Sequence, residues 1–383
     1  MELRDHLLAL LGPIAIGDPL APEVRLTGAS TELGLRLTFV AHGREIHVEL
    51  APAADGSRHA ARTPRLLVAY RASDALPVDP AAGQALCALV AARIAPREDA
   101  VLAAIAADPD VLADAAKIRE VEVARLLELA GAPDARFYTL SPYVGCLIGC
   151  RFCYAQSRLA SVRRLVGAPP IAWGSWVDVR VNAPEILAAE LATLPPHPIK
   201  FCPIVSDPYH AIERDRGLTR RCLAVIAAHP APSPVLLLTR STLIERDVDL
   251  LAAIPRAIVG MSVPTLDDDV RAHFEPRGAP IAHRLATLGR LRAAGIETCA
   301  VIQPQLPGPV DALADALASC VRSVSLDILR GEEGAAALFD DPRFAHARDP
   351  GWQIAQRAAL AAALVARGVA VWDGELPSSL LPS

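Results

Sequence analysis

The chain has 383 residues, more than one average domain, and 52 % of them are apolar, enough for a large core of alanine-rich helices packed on a sheet. A formal net charge of -5 argues against a general polyanion binder. No apolar run approaches the roughly 18 residues of a membrane span, and the start "MELRDHLLALLGPIAIGDPL" has no basic region leading into an apolar stretch. The expectation is a cytoplasmic protein with no signal peptide and no membrane partner.

Residues 1–135 read as a small α+β appendage. A short first helix leads into "LGLRLTFVAHGREIHVEL", two alternating runs around a Gly-containing turn, which is a hairpin signal. "PRLLVAY" is a third strand, and residues 82–131 read as helices broken at "APRED" and "ADPD".

From Phe137 the rhythm changes to short β-rich runs alternating with amphipathic helices. The strands are "FYTLSPY", "IKFCPIVS", "PVLLLT", "AIVGMSV", "ETCAVIQ" and "SVSLDIL", with helices near 183–194, 217–229, 245–253, 282–294 and 309–320. Six strand-then-helix units joined by right-handed crossovers make a parallel sheet, open or curled into a partial (β/α)6 TIM-like barrel over residues 136–330. Chemistry in such folds sits at the C-terminal strand ends. Residues 331–383 are a polar, Pro-containing connection, a helix near 352–367 and a last strand, "VAVW". Residues 136–330 carry 21 basic and 17 acidic side chains, so a mild basic patch is compatible with the acidic total.

Just after the first of the six strands comes "CLIGCRFCYA", with Cys146, Cys150 and Cys153 inside eight residues. Three thiolates on one loop point to a metal or to redox chemistry. Structural zinc takes four ligands. No histidine lies between His59 and His197, and no further cysteine comes before Cys202. A fourth ligand brought by folding keeps zinc open, as it does unligated cysteines. The reading that fits the count is an iron–sulfur cluster with one iron left free for an exogenous chelator. Gly145 and Gly149 then let the backbone approach such a cluster.

The CX3CX2C spacing, with Phe152 before the last cysteine and a β/α pattern around it, resembles the signature of the radical SAM superfamily. That resemblance implies a [4Fe–4S] cluster on Cys146, Cys150 and Cys153, with S-adenosylmethionine chelating the open iron. One electron, from a flavodoxin- or ferredoxin-type reductant, then cleaves the sulfonium. The resulting 5′-deoxyadenosyl radical abstracts hydrogen from a substrate. From about Tyr138 to Pro307 the chain is similar to the spore photoproduct lyase-like branch, through "SPYVGCLIGCRFCYA", "SDPYHAIERDRGLTR", "LLTRSTLIERDVDLL", "MSVPTLDDDVRAHFEPRGAP" and "HRLATLGRLRAAGI".

By that likeness Phe152 lines the adenine end of the cofactor pocket and Tyr154 lies beside the cluster. Ser206 and Asp207 stand where the superfamily usually carries a Gly-Gly-Glu segment holding the co-substrate's amino group; that segment is absent here, as in lyase-like relatives. Arg240 and Ser262 provide a cation and a hydroxyl for its carboxylate and ribose. Arg240 replaces the lysine of the lyase, a fork in place of a point charge. The lyase's hydrogen-donor cysteine corresponds to Val205 or a position close to it. Cys202, three residues earlier, faces the other side of a regular strand, which argues against repair of spore-type thymine dimers. Tyr154 and Tyr209 are the candidate radical relays. Glu275 and Arg277 read equally well as a solvated ion pair. The substrate is open among a nucleic-acid base, a peptide and a small metabolite, and Arg158, Arg163 and Arg164 offer a phosphate or acidic partner a contact. The other five cysteines read as buried small apolar residues, so a single cluster is expected. The rival reading is an iron–sulfur binding or regulatory protein without turnover.

Overall fold

The structure, a computed structural model, describes residues 3–31, 35–53, 60–71, 78–107, 118–165, 171–201, 205–329 and 334–380. It divides into two compact units, one of residues 1–117 and 155–171, the other of residues 118–154 and 172–383.

The first unit is built on an antiparallel sheet. Its strands are β1 (Pro19–Ala21), β2 (Val24–Ser30), β3 (Leu35–Ala41), β4 (Arg44–Pro52), β5 (Ala61–Arg62) and β6 (Leu66–Arg71), in the order β1-β2-β3-β4-β6-β5. The expected hairpin is β3–β4, closing at Ala41↔Arg44 over His42 and Gly43, both at positive φ. That backbone twist matches the flanking strands. Every second residue of β3 is buried, and this face (Leu37, Phe39) packs with Leu7 and Leu11 and with Leu86 and Val90 of helix Pro80–Ile94. Helix Ala155–Leu165, directly after the cysteine loop, also belongs to this unit, and its Arg158 pairs with Glu49 at 2.9 Å.

The second unit corrects the expectation of helices through residue 131. Ile118–Val121 (β7) and Leu127–Ala130 (β8) are strands. β7 carries β-branched Ile118 and Val121, whereas the Leu-, Glu- and Ala-rich β8 lies on a sheet edge where pairing overrides helix propensity. Next come β9 (Phe137–Leu140), β10 (Tyr143–Val144), β11 (Val177–Arg180), β12 (Ile199–Phe201), β13 (Val235–Thr239), β14 (Ala257–Ser262), β15 (Glu297–Ile302), β16 (Ser323–Leu326) and β17 (Ala370–Trp372). The main sheet runs β17-β16-β15-β14-β13-β12-β9-β8, all parallel except the β8–β9 pair. The six predicted strands are thus its middle, curled into a partial barrel, with one strand added at each edge. A second small sheet, β10-β11-β7, flanks the cysteine loop.

Alternation sorts the side chains of the main sheet. Val235, Leu237 and Val259 face the outer helices, such as Leu218–Ala228. Leu236, Ile258 and Cys299 pack inside with Phe137, Leu376 and Leu380. The interior is narrow: a Cβ on Gly260 would stand 2.4 Å from Leu238 Cδ2 and 2.8 Å from Cys299 Sγ. Cys87, Cys222, Cys299 and Cys320 are all buried in apolar clusters, whereas Cys202 falls outside the described residues. No helix among the described residues is long and apolar enough to cross a membrane.

Candidate functional site

Four parallel strands deliver the site from their C-terminal ends. β9 runs through β10 into the cysteine loop, β12 leads to Ser206 and Asp207, β13 to Arg240, and β14 ends on Ser262. The loop is pinned at its entrance: Gly145 N donates to Val205 O at 3.0 Å, and Ser206 Oγ donates to Gly145 O at 2.7 Å. Farther along, Arg151 N donates to Phe274 O at 2.9 Å. Both loop glycines have positive φ, +84° at Gly145 and +67° at Gly149. Protein fills their open side. A Cβ on Gly145 would stand 2.7 Å from the Trp176 ring, and one on Gly149 would stand 2.6 Å from Arg277 Nη2 and 2.9 Å from Gly174 Cα. The close approach expected of these glycines is therefore to Trp176, Arg277 and Gly174.

Within this frame Cys146, Cys150 and Cys153 line one cleft of about 300 Å³ together with Ile148, Trp173, Ser206, Asp207 and Arg240. Ile148 and Trp173 had no signal in the sequence. Trp173 is brought in by the segment before β11 and stacks edge-on against Trp176 at 6.4 Å. Another depression, of about 580 Å³, lies around Arg256 and Glu297 at the opposite ends of the strands and contains none of the predicted site residues.

Burial pushes the Cys146 thiol up to about 12, with a smaller push from the Asp207 carboxylate, while the N–H groups of Ile148 and Gly149 favour the thiolate. Burial also holds Cys150 well above the ordinary thiol range, and the Arg240 charge opposes it. Asp207 is a bracket: Oδ1 accepts from Tyr209 N (2.8 Å) and Thr239 Oγ1 (2.7 Å), and Oδ2 accepts from Arg240 N (2.7 Å). Burial raises its carboxyl above the usual range against those bonds.

Arg240 donates Nε–H to Glu275 Oε1 at 2.7 Å, with its guanidinium carbon 5.9 Å from the centre of the Phe152 ring. Burial works against its charge, but Cys150 and Glu275 outweigh it and hold Arg240 firmly protonated. Glu275 is fully buried, and Arg284 Nη2 donates to its other oxygen at 2.5 Å. The reading of Glu275 and Arg277 as a solvated pair is corrected: Glu275 binds two other arginines, and exposed Arg277 lies over Gly149 and Gly174. Arg284 Nη1 donates to Ser262 O at 2.7 Å, while the buried Ser262 Oγ has no partner among the described residues.

Four expected site residues do not line the cleft, Ser262 among them. Phe152 is buried under Arg240 and against Phe274, at 6.4 Å between ring centres. Tyr154 is 41 % exposed. Tyr209 is buried and donates its hydroxyl to Asp247 at 3.0 Å, within a network that also joins Arg246 to Glu213. Arg158 is committed to Glu49, and the Arg164 side chain falls outside the described residues.

Among the described residues, no three His, Cys, Asp or Glu side chains converge on a single-ion site. An iron–sulfur cube asks for a different arrangement, because each thiolate takes a different iron and the sulfurs surround a wider volume. A loop that lines a cleft with three thiols, two backbone N–H groups directed at one sulfur, and an arginine at its wall fits such a cluster.

Residues 140–317 match the Radical SAM superfamily. An uncharacterised protein of Methanocaldococcus jannaschii is 31 % identical over 182 residues, 47 % of this chain and 64 % of that protein. An uncharacterised Mycobacterium tuberculosis protein is 27 % identical over 179 residues, 45 % of this chain and 51 % of that protein. The chain thus spans between half and two thirds of these relatives. A solved single-substitution variant of spore photoproduct lyase aligns with TM-score 0.49 and 13 % identity, covering 67 % of this chain and 81 % of that one.

Proposed function

We propose, from the match of residues 140–317 to the Radical SAM superfamily, that the chain is a radical enzyme using one [4Fe–4S] cluster held by Cys146, Cys150 and Cys153. The observation that carries this is that these three thiols share one cleft with Ser206, Asp207 and Arg240 at the C-terminal ends of a parallel sheet. When bound, the cluster supplies the electron for reductive cleavage of S-adenosylmethionine, whose radical fragment then takes hydrogen from the substrate.

The protein's own groups have separate tasks. Arg240 offers its two Nη groups, which have no partner among the described residues, to the co-substrate's carboxylate. Ser262 Oγ is a second polar group with no partner among the described residues, and it is our candidate for the ribose hydroxyls. Asp207 and Ser206 act as braces: one fixes the Arg240 backbone, the other fixes the loop at Gly145. Ile148 and Trp173 wall the cleft and keep water from it. The substrate is a nucleic-acid base, a peptide or a small metabolite. Repair of spore-type thymine dimers is disfavoured, because the position of the lyase's donor cysteine falls at or close to Val205, a buried apolar residue.

Anaerobic reconstitution tests the reading: about four irons per chain are expected, and 5′-deoxyadenosine should form when dithionite and S-adenosylmethionine are added. A chain that takes up one zinc and no iron contradicts it. Cluster loading without 5′-deoxyadenosine would leave a binding or regulatory protein instead.

A further inference from the structure

The segment Phe274–Gly278 does two things at once. Its backbone ties the cysteine loop through the bond from Arg151 N to Phe274 O, and its Glu275 side chain reaches inward to Arg240. The segment is itself held firmly. Arg271 Nη1 donates to Glu275 O (3.2 Å) and Gly278 O (3.1 Å), Arg284 Nε donates to Ala279 O (2.8 Å), and Ala279 N donates to Arg240 O (3.1 Å). Glu275 therefore sits on a rigid mount and has no freedom to follow Arg240.

Its contact on Arg240 is selective. Glu275 takes only Nε–H, and the far edge of the guanidinium keeps both Nη groups unpartnered among the described residues, on a side chain that lines the cleft. An arginine gripped at one edge presents the other as a fixed planar fork, the shape that pairs bidentately with a carboxylate. A lysine ammonium could reach both partners, but with its donors around one atom it would present no planar fork. We propose that Glu275 is a positioning residue. It orients the Arg240 fork toward the carboxylate of an amino-acid-bearing sulfonium ligand, and so confers preference for ligands that carry that carboxylate. The inference rests on the cluster-site reading above.

The experiment compares two ligands on iron-loaded protein: S-adenosylmethionine, and its decarboxylated form, which keeps the sulfonium and the amine. Dissociation constants are measured for wild type, Glu275→Gln and Glu275→Asp, with iron content and visible absorbance as controls. Loss of the fork's orientation is expected to weaken S-adenosylmethionine binding about tenfold or more, equivalent to about 1.4 kcal/mol, with no change for the decarboxylated ligand. Equal weakening of both ligands, or of neither, overturns the proposal. If Glu275→Gln fails to fold, because Arg284 is left buried and unpaired, Glu275→Asp keeps the charge and decides on the same criterion. A wild-type protein that loads iron but binds no S-adenosylmethionine overturns the underlying reading, and the positioning role falls with it. That result is distinct from a wild type that binds while the variants behave like it.

Discussion

At Cys146 burial and hydrogen bonding oppose each other. Burial favours the neutral thiol, up to about 12, while the N–H groups of Ile148 and Gly149 favour the thiolate that a cluster requires. Ligation must then release protons, so iron uptake should strengthen as pH rises; uptake that is flat between about pH 6 and 8.5 would count against thiolate ligation at these sites. The loop's glycines make a separate prediction. Gly149→Ala combines a positive φ with backbone 2.9 Å away at Gly174, and should cost about 1–3 kcal/mol in denaturant unfolding. Gly289→Ala, in a helix with nothing within 4 Å, should be neutral or stabilising. The three cysteines stand out in the sequence by their spacing, and Ser206, Asp207 and Arg240 by following strands with visible apolar runs, while the roles expected of the last three came from the family resemblance. Trp173 and Ile148 do not stand out. Their place depends on how the segment before β11 folds back and on which way the loop turns, and neither leaves a periodic signal. Phe152 stands out as an aromatic inside the signature, but its packing on Phe274 is a tertiary fact that leaves no periodic signal.

Among the elements, the strands of the parallel sheet were legible as β-rich runs between helices of 3.6 periodicity. Helix Asp268–Phe274 was not, although Asp267 caps it by accepting from Asp269 N and Val270 N. Its seven residues are too few to show a period. The turn after β12 carries a buried polar knot. Tyr143 donates to Glu213, Arg246 bonds both Glu213 and Asp247, and Tyr209 donates to Asp247. Replacing Glu213 by Gln should cost about 1–3 kcal/mol, since it removes the charged acceptor shared by Tyr143, Arg246 and Thr219 N while Asp247 still pairs with Arg246; no loss in urea unfolding would argue against that. Beside the knot, His210 is buried, edge-on to Tyr143 at 4.7 Å, and burial lowers it from 6.5 to about 3. The unfolded chain therefore binds this proton before the folded one does. Its contribution is fully present above pH 6.5 and is lost as pH falls toward 3, at about 1.4 kcal/mol per unit. His210→Phe should flatten the stability profile between about pH 6.5 and 4 relative to wild type, and an unchanged slope would contradict the assignment.

For the whole molecule, length and composition gave an α/β barrel with an appendage, and the parallel order of the main sheet agrees. Each unit has its own core: the Phe39 cluster uses residues of the first unit alone. Phe39→Ala should therefore destabilise that unit by about 3–5 kcal/mol and leave iron uptake by the cysteine loop unchanged. The most direct test of the account is 5′-deoxyadenosine formation under dithionite by the iron-loaded chain, run beside Cys150→Ala. The account predicts product from the wild type and none from the variant, which should also lose most of its iron. Equal product from both, or iron retained in full without Cys150, would contradict it.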